Sequence, residues 1–189
     1  SRAAYKTTDF DFRQYKNLEM FVHAEKSIEE DDLQYGDLTV FIRIGSDFTE
    51  NYYEYEVPLT FTPWYTSSTD AEAIWPESNR FNIDLEKLTQ IKLDRDVAAR
   101  AGTGGVSINF PYVAYDGLNK VTILGVPSIS DVMAIMVGVR NPKRQSLDGD
   151  DDGLAKCAEI WINELRLTGF NDKAGWAGLL RVSSQLGDL

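Results

Sequence analysis

Carboxylates recur at every second position in the stretch Asp148-Gly149-Asp150-Asp151-Asp152-Gly153. Together with Glu159, this spacing reproduces the calcium-loop pattern D-x-D-x-D-G-x5-E. Asp148, Asp150, Asp152 and Glu159 would offer hard oxygens, Gly153 the sharp turn, and Leu154 its backbone carbonyl. Two features depart from a helix-flanked loop. A strand-like segment follows, and Ala155 stands where a branched apolar residue is usual. Without a metal, the clustered charges repel by roughly 1 kcal/mol per neighbouring pair in water. The expectation is calcium at Asp148, Asp150, Asp152, Leu154 and Glu159, against a plain solvated acidic loop.

A second chemistry is aromatic. Trp64, Tyr65 and Trp75 lie in a loop bounded by Pro63 and Pro76. Exposed aromatics on a β-sandwich can stack on sugar rings, and the same residues can instead cover an open end of the core. Glu54 and Glu56 pair on paper as glycosidase carboxylates. They sit two apart on one strand face, roughly 7 Å between α-carbons, with nothing to place a sugar between them. Asn163 and Glu164 fall in an I-x-I-N-E-L-x-L strand of the form that often ends jelly-roll binding modules. The simpler reading turns Trp161, Leu165 and Leu167 to the core, and Glu164 and Arg166 to water.

Other reactive groups are scarce. His23 is the one histidine and Cys157 the one cysteine. No internal disulfide can form, and a zinc site or a Ser-His-Asp triad lacks parts or support. Gly102-Thr103-Gly104-Gly105 lacks the Lys-Ser/Thr pair of a phosphate loop. These absences point away from an enzyme. A formal charge of −11 argues against nucleic-acid binding and against anionic lipid, and it is compatible with calcium.

The elements that would position these residues are mostly strands. With 189 residues and 43% hydrophobic content, the chain can bury one well-formed core. Leu18, Met20, Val22 and Ala24 alternate with polar or aromatic neighbours. Asp37 to Gly45 and Asn51 to Thr62 read as an antiparallel pair, with Pro58 placing the second at an edge or bulge. Val106 to Tyr115 and Lys120 to Leu124 flank a turn at Asp116-Gly117-Leu118-Asn119. Met133 to Val139 is apolar or small on both faces, which predicts a central strand. One helix is expected from Asp84, its cap, to about Arg95. With a single helix available for crossovers, the pattern favours an all-β, antiparallel, two-sheet jelly-roll-like sandwich.

Three regions are expected: an extended lead-in over 1–17, the sandwich over 18–170, and a C-terminal strand segment over 171–189. In that last segment Trp176, Leu180, Val182 and Leu186 share a face, a pattern that also describes a transmembrane barrel strand. No run of apolar residues is long enough for a transmembrane helix, and Ser1 to Lys6 do not form a signal peptide. The sequence reads as a piece of something longer.

Several long phrases carry a family resemblance. They include Thr8-Asp9-Phe10-Asp11-Phe12-Arg13-Gln14-Tyr15-Lys16-Asn17, Arg43-Ile44-Gly45-Ser46-Asp47, and Trp75-Pro76-Glu77-Ser78-Asn79-Arg80-Phe81. Val137-Gly138-Val139-Arg140-Asn141-Pro142 and Cys157-Ala158-Glu159-Ile160-Trp161-Ile162-Asn163-Glu164-Leu165-Arg166-Leu167 add to them. The chain resembles the SprA (Sov) cell-surface family of Bacteroidetes. The resemblance implies a fragment of a giant outer-membrane β-barrel, the translocon of type IX secretion, which also supports gliding motility. It implies a soluble insert between barrel strands, with Trp176 onward returning to the barrel. Folded cargo proteins would be the substrate, and other outer-membrane and periplasmic secretion components the partners. The family contributes no catalytic residues. The alternative is a carbohydrate-binding jelly-roll module.

Overall fold

A computed structural model of the chain describes residues 2–28, 32–142 and 156–171. Among the described residues nine strands form two antiparallel sheets. The larger contains β1 (Arg2–Phe10), β3 (Thr39–Gly45), β4 (Tyr52–Pro58), β6 (Tyr112–Asp116), β7 (Asn119–Leu124) and β8 (Val132–Arg140). Its order is β1-β8-β3-β4-β7-β6. The smaller holds β2 (Asn17–Lys26), β5 (Phe81–Asp84) and β9 (Ala158–Thr168), in the order β5-β2-β9. Alongside the single-turn α1 (Ala71–Ile74) there is one longer helix, α2 (Leu85–Arg100).

One core fills the space between the sheets. Leu18, Met20, Val22 and Ala24 of β2 are at most 1% exposed, so their alternation does mark the inward face. They pack with Ile42 and Ile44 of β3, Tyr53 and Tyr55 of β4, and Ile123 of β7. Tyr55 of the large sheet meets Phe81 of the small one with ring centroids 6.0 Å apart. Helix α2 closes one side of this core with Leu85 and Leu88. Asp84 caps it, its carboxylate accepting from the N–H groups of Glu86 and Lys87. The helix runs five residues past the expected end at Arg95, to Arg100.

The expected all-β sandwich is therefore present, with its strands divided six and three. β8 is central, between β1 and β3. Pro58 behaves differently from expectation. β4 lies inside the sheet between β3 and β7, and Pro58 is its last residue. The β7 ladder spans only Tyr52 to Glu56, so the missing N–H of Pro58 falls beyond that pairing. The lead-in residues Arg2–Phe10 are a strand, hydrogen-bonded along β8. Of the expected C-terminal segment 171–189, residues 172–189 lie outside the described residues.

β9 carries a further local departure. Glu19 pairs with Arg166 and Phe21 with Asn163, so Glu164 and Leu165 together oppose Met20. This is a β-bulge, and Glu164 takes φ +54° within it. An extra residue inverts the alternation. Ala158 and Ile160 pack on the core before the bulge, and Leu167 after it. Trp161 consequently faces outward and is 60% exposed, not buried as the simple alternation suggested.

Candidate functional site

The outer face of the small sheet carries a concave site. On β2, Glu19, Phe21, His23 and Glu25 point away from the core by strand alternation. β9 lies beside them in register, with His23 opposite Trp161 and Glu25 opposite Glu159. On the other side the chain bridges to β2 at Thr62, whose N–H donates to Ala24 O at 2.7 Å. The Pro63–Trp75 loop then rises over His23.

Three aromatics predicted from sequence converge here. Trp64, Tyr65 and Trp75 line a cleft of about 570 Å³, together with His23, Glu25 and Trp161. Trp161 was missed as a site residue because the bulge that turns it outward is not visible in a period-two pattern. Its one advance signal is the shift of apolar residues from 160 and 162 to 165 and 167.

Local backbone geometry holds the cleft open. Thr66 N–H donates to Pro63 O at 3.2 Å, closing a four-residue turn. Tyr65, its third residue, takes φ +67°, a position that favours Gly or Asn. The ring is thereby left 84% exposed at the rim. Trp64 packs edge-on against it, with centroids 6.3 Å apart. Trp75 tilts over His23 at 5.8 Å.

Three polar residues of the cleft, His23, Thr62 and Thr66, bond within the protein. His23 Nδ1 lies 2.7 Å from Ile74 O and 3.1 Å from Thr62 Oγ1. Thr62 Oγ1 donates to Ala73 O, and Thr66 Oγ1 to Pro63 O. Glu25 differs from these groups. Its side chain is 41% exposed, and its nearest ionic partner is His23 Nε2 at 3.5 Å. Glu19, six residues back along β2, is fully compensated: Arg80 reaches it at 3.0 Å, Arg166 at 3.3 Å, and Thr168 donates to it at 2.6 Å. The hydroxyl of Thr168 and then Arg80 hold the Glu19 carboxyl below its usual range. Phe21 lies between the two guanidiniums, 5.3 Å from that of Arg80 and 5.8 Å from that of Arg166.

The Glu54 and Glu56 pair is a structural network on the outer face of the large sheet. Glu54 accepts from Arg43 at 2.6 Å and from Arg140 at 3.0 Å. Glu56 accepts from Thr39 Oγ1 at 2.6 Å and pairs with Arg140 and Lys120. Arg43 stacks 3.8 Å from the Tyr52 ring centre. Both carboxylates are about 5% exposed, leaving no room for a sugar between them.

Asp148, Asp150, Asp152 and Leu154 of the proposed calcium loop lie outside the described residues. Glu159 is described, exposed near the start of β9. Asn163 and Glu164 are exposed at the bulge, away from the cleft lining.

Fold and cleft together define a two-sheet antiparallel protein with an aromatic recess on one outer face. All 189 residues match the SprA_N family model, described as motility related/secretion protein, and the chain belongs to that family. Membership indicates a cell-envelope protein concerned with motility and secretion. No curated protein matches the chain. Among the described residues no helix is long and apolar enough to cross a membrane, a statement that does not bear on crossing by strands.

Proposed function

We propose that this chain is a non-catalytic soluble segment of a giant outer-membrane β-barrel translocon that exports folded cargo in type IX secretion and gliding motility. The observation that carries the reading is the family match along the whole length of the chain. The spent state of its best carboxylate pair supports a docking role over a chemical one, since both oxygens of Glu54 are bonded to arginines. In this role the segment sits at the outer membrane or cell surface, joined to a membrane-embedded parent. It engages secretion components of the outer membrane and periplasm, or cargo.

The test is capture from solubilised outer membranes with the tagged 189-residue chain. Recovery of barrel and secretion components supports the reading. Recovery of none, with the chain folded, overturns it. The carbohydrate-binding alternative is favoured by the gathering of Trp64, Tyr65 and Trp75 in one cleft. Against it stands the internal use of the Thr62 and Thr66 hydroxyls and of His23 Nδ1, three groups that could otherwise read sugar hydroxyls. A glycan array with saturable binding would restore it.

A further inference from the structure

Along the outer edge of the small sheet, three features meet at one place. The first is an open strand edge. β9 pairs with β2 on one side and, among the described residues, with no strand on the other. From Ala158 to Asn163 its register is unbroken, and the bulge begins only at Glu164. Six regular residues present about 20 Å of unpaired backbone. Two of its exposed residues are large and apolar, Trp161 at 60% and Ile162 at 44%, beside the exposed Glu159 and Asn163. Short edges, charges and bulges normally blunt such a template, and here the bulge protects only its far end.

A second feature is the aromatic cleft, which Trp161 shares with Trp64, Tyr65 and Trp75. The third is electrostatic. Glu25 and Glu159 are direct cross-strand partners on the face that carries His23 and Trp161. Like charges placed directly opposite destabilise a sheet. Among the described residues no Lys or Arg bridges to either carboxylate, in contrast with Glu19 on the same strand, which holds two arginines. A cation supplied from outside would relieve the repulsion, and the ring faces next to it would add a cation–π contribution.

We propose that the β9 edge receives an extended segment of a partner protein by strand addition, and that the segment carries Lys or Arg at alternate positions. Main-chain hydrogen bonds to residues 158–163 give affinity, and the alternate cationic side chains give specificity. A strand docked one spacing away, about 4.8 Å from β9, puts a long basic side chain within reach of Glu159 and the Trp161 ring. The net charge of −11 favours approach of a basic segment over an acidic one. The inference rests on the docking role proposed above and names the surface that performs it.

The test uses the tagged chain in EDTA, so that calcium does not compete at Glu159. The probe is a fluorescein-labelled eight-residue peptide of alternating valine and lysine. Controls are the same peptide with glutamate for lysine, and chitohexaose. The expected result is saturable binding of the lysine peptide, with the glutamate peptide at least about tenfold weaker, a difference of about 1.4 kcal/mol. Trp161→Ala and Glu159→Gln should each weaken the lysine peptide by a similar factor. Glu159→Gln is an exposed, near-isosteric change and so keeps the fold intact. Equal binding of the two peptides, lysine-peptide binding insensitive to both variants, binding of chitohexaose alone, or no binding at millimolar peptide would each overturn the inference. If the peptide fails while capture of secretion components succeeds, this surface is wrong and the docking role stands.

Discussion

Arg140 on β8 reaches across β3 to Glu54 on β4, its Nη2 lying 3.0 Å from one carboxylate oxygen and 3.1 Å from the other. The same guanidinium also holds Glu56 and stacks 4.5 Å from the Phe41 ring centre. Glu54 keeps only 5% of its side chain exposed. Removing one partner of a buried pair leaves an uncompensated charge, which costs about 3–5 kcal/mol. Arg43 and Lys120 remain in Arg140→Met, so the expected loss is near the low end, about 3 kcal/mol in urea unfolding. The triple change with Glu54→Gln and Glu56→Gln should recover part of it. Unchanged stability in Arg140→Met would show that the network contributes nothing.

The β9 bulge makes a separate prediction. Glu164 holds φ +54°, where an L-residue costs roughly 1–2 kcal/mol relative to Gly. Among the described residues its side chain bonds the exposed Arg166, at 3.1 Å. Glu164→Gly should therefore raise stability by up to about 1 kcal/mol. Glu164→Val, β-branched, should lower it by about 1 kcal/mol or more. Denaturant midpoints of the two variants moving in the same direction would refute the strain.

The bulge also marks where the sequence stopped being readable. Strict alternation at Leu18, Met20, Val22 and Ala24 gave the inward face of β2 correctly, because that strand has no irregularity on its β5 side. Central β8 and the Asp84-capped helix were readable for similarly local reasons: apolar or small residues on both faces, and a cap followed by three-residue spacing. Pro58 misled because its effect depends on how far the neighbouring ladder extends, and β7 stops at the partner of Glu56. At the site, Trp64, Tyr65 and Trp75 stood out by type and by their place in a loop bounded by prolines. His23, Glu25 and Trp161 join them only through the His23–Trp161 register, a pairing between residues far apart in the chain.

Calcium gives a further outcome to check. The spacing of Asp148, Asp150, Asp152 and Glu159 places hard oxygens that repel one another without a counter-ion. Binding to the folded state alone raises stability in proportion to the logarithm of ligand concentration. Millimolar calcium should raise Tm, and Asp150→Ala should abolish the rise. A Tm unmoved by calcium disposes of the metal reading and leaves a solvated acidic loop.

Asp47 and Tyr55 make stability depend on pH in opposite directions. Asp47 terminates the turn between β3 and β4, accepting from the N–H groups of Thr49, Glu50 and Asn51 at 2.8, 2.6 and 3.1 Å. Burial alone would raise its carboxyl. The Glu50 N–H, the Asn51 side chain and the remaining N–H groups outweigh that and hold it far below the usual range. A depressed carboxyl contributes stability above its unfolded value of 3.8 and loses it as pH falls toward the folded one. Asp47→Ala should lower Tm near neutrality, by the equivalent of about 1 kcal/mol. It should also flatten the decline of stability below about pH 4. Tyr55 works at the other end. Burial first, then its bond to Asp116, push its phenol up to about 12 against the opposing Asn119 amide. Its contribution is complete below pH 10 and drains away as pH climbs through 12. Ultraviolet titration of wild type and Tyr55→Phe should therefore differ by a phenol that ionises about two pH units above ordinary tyrosine. A difference spectrum centred on the ordinary value would place Tyr55 in solvent and contradict its burial between the sheets.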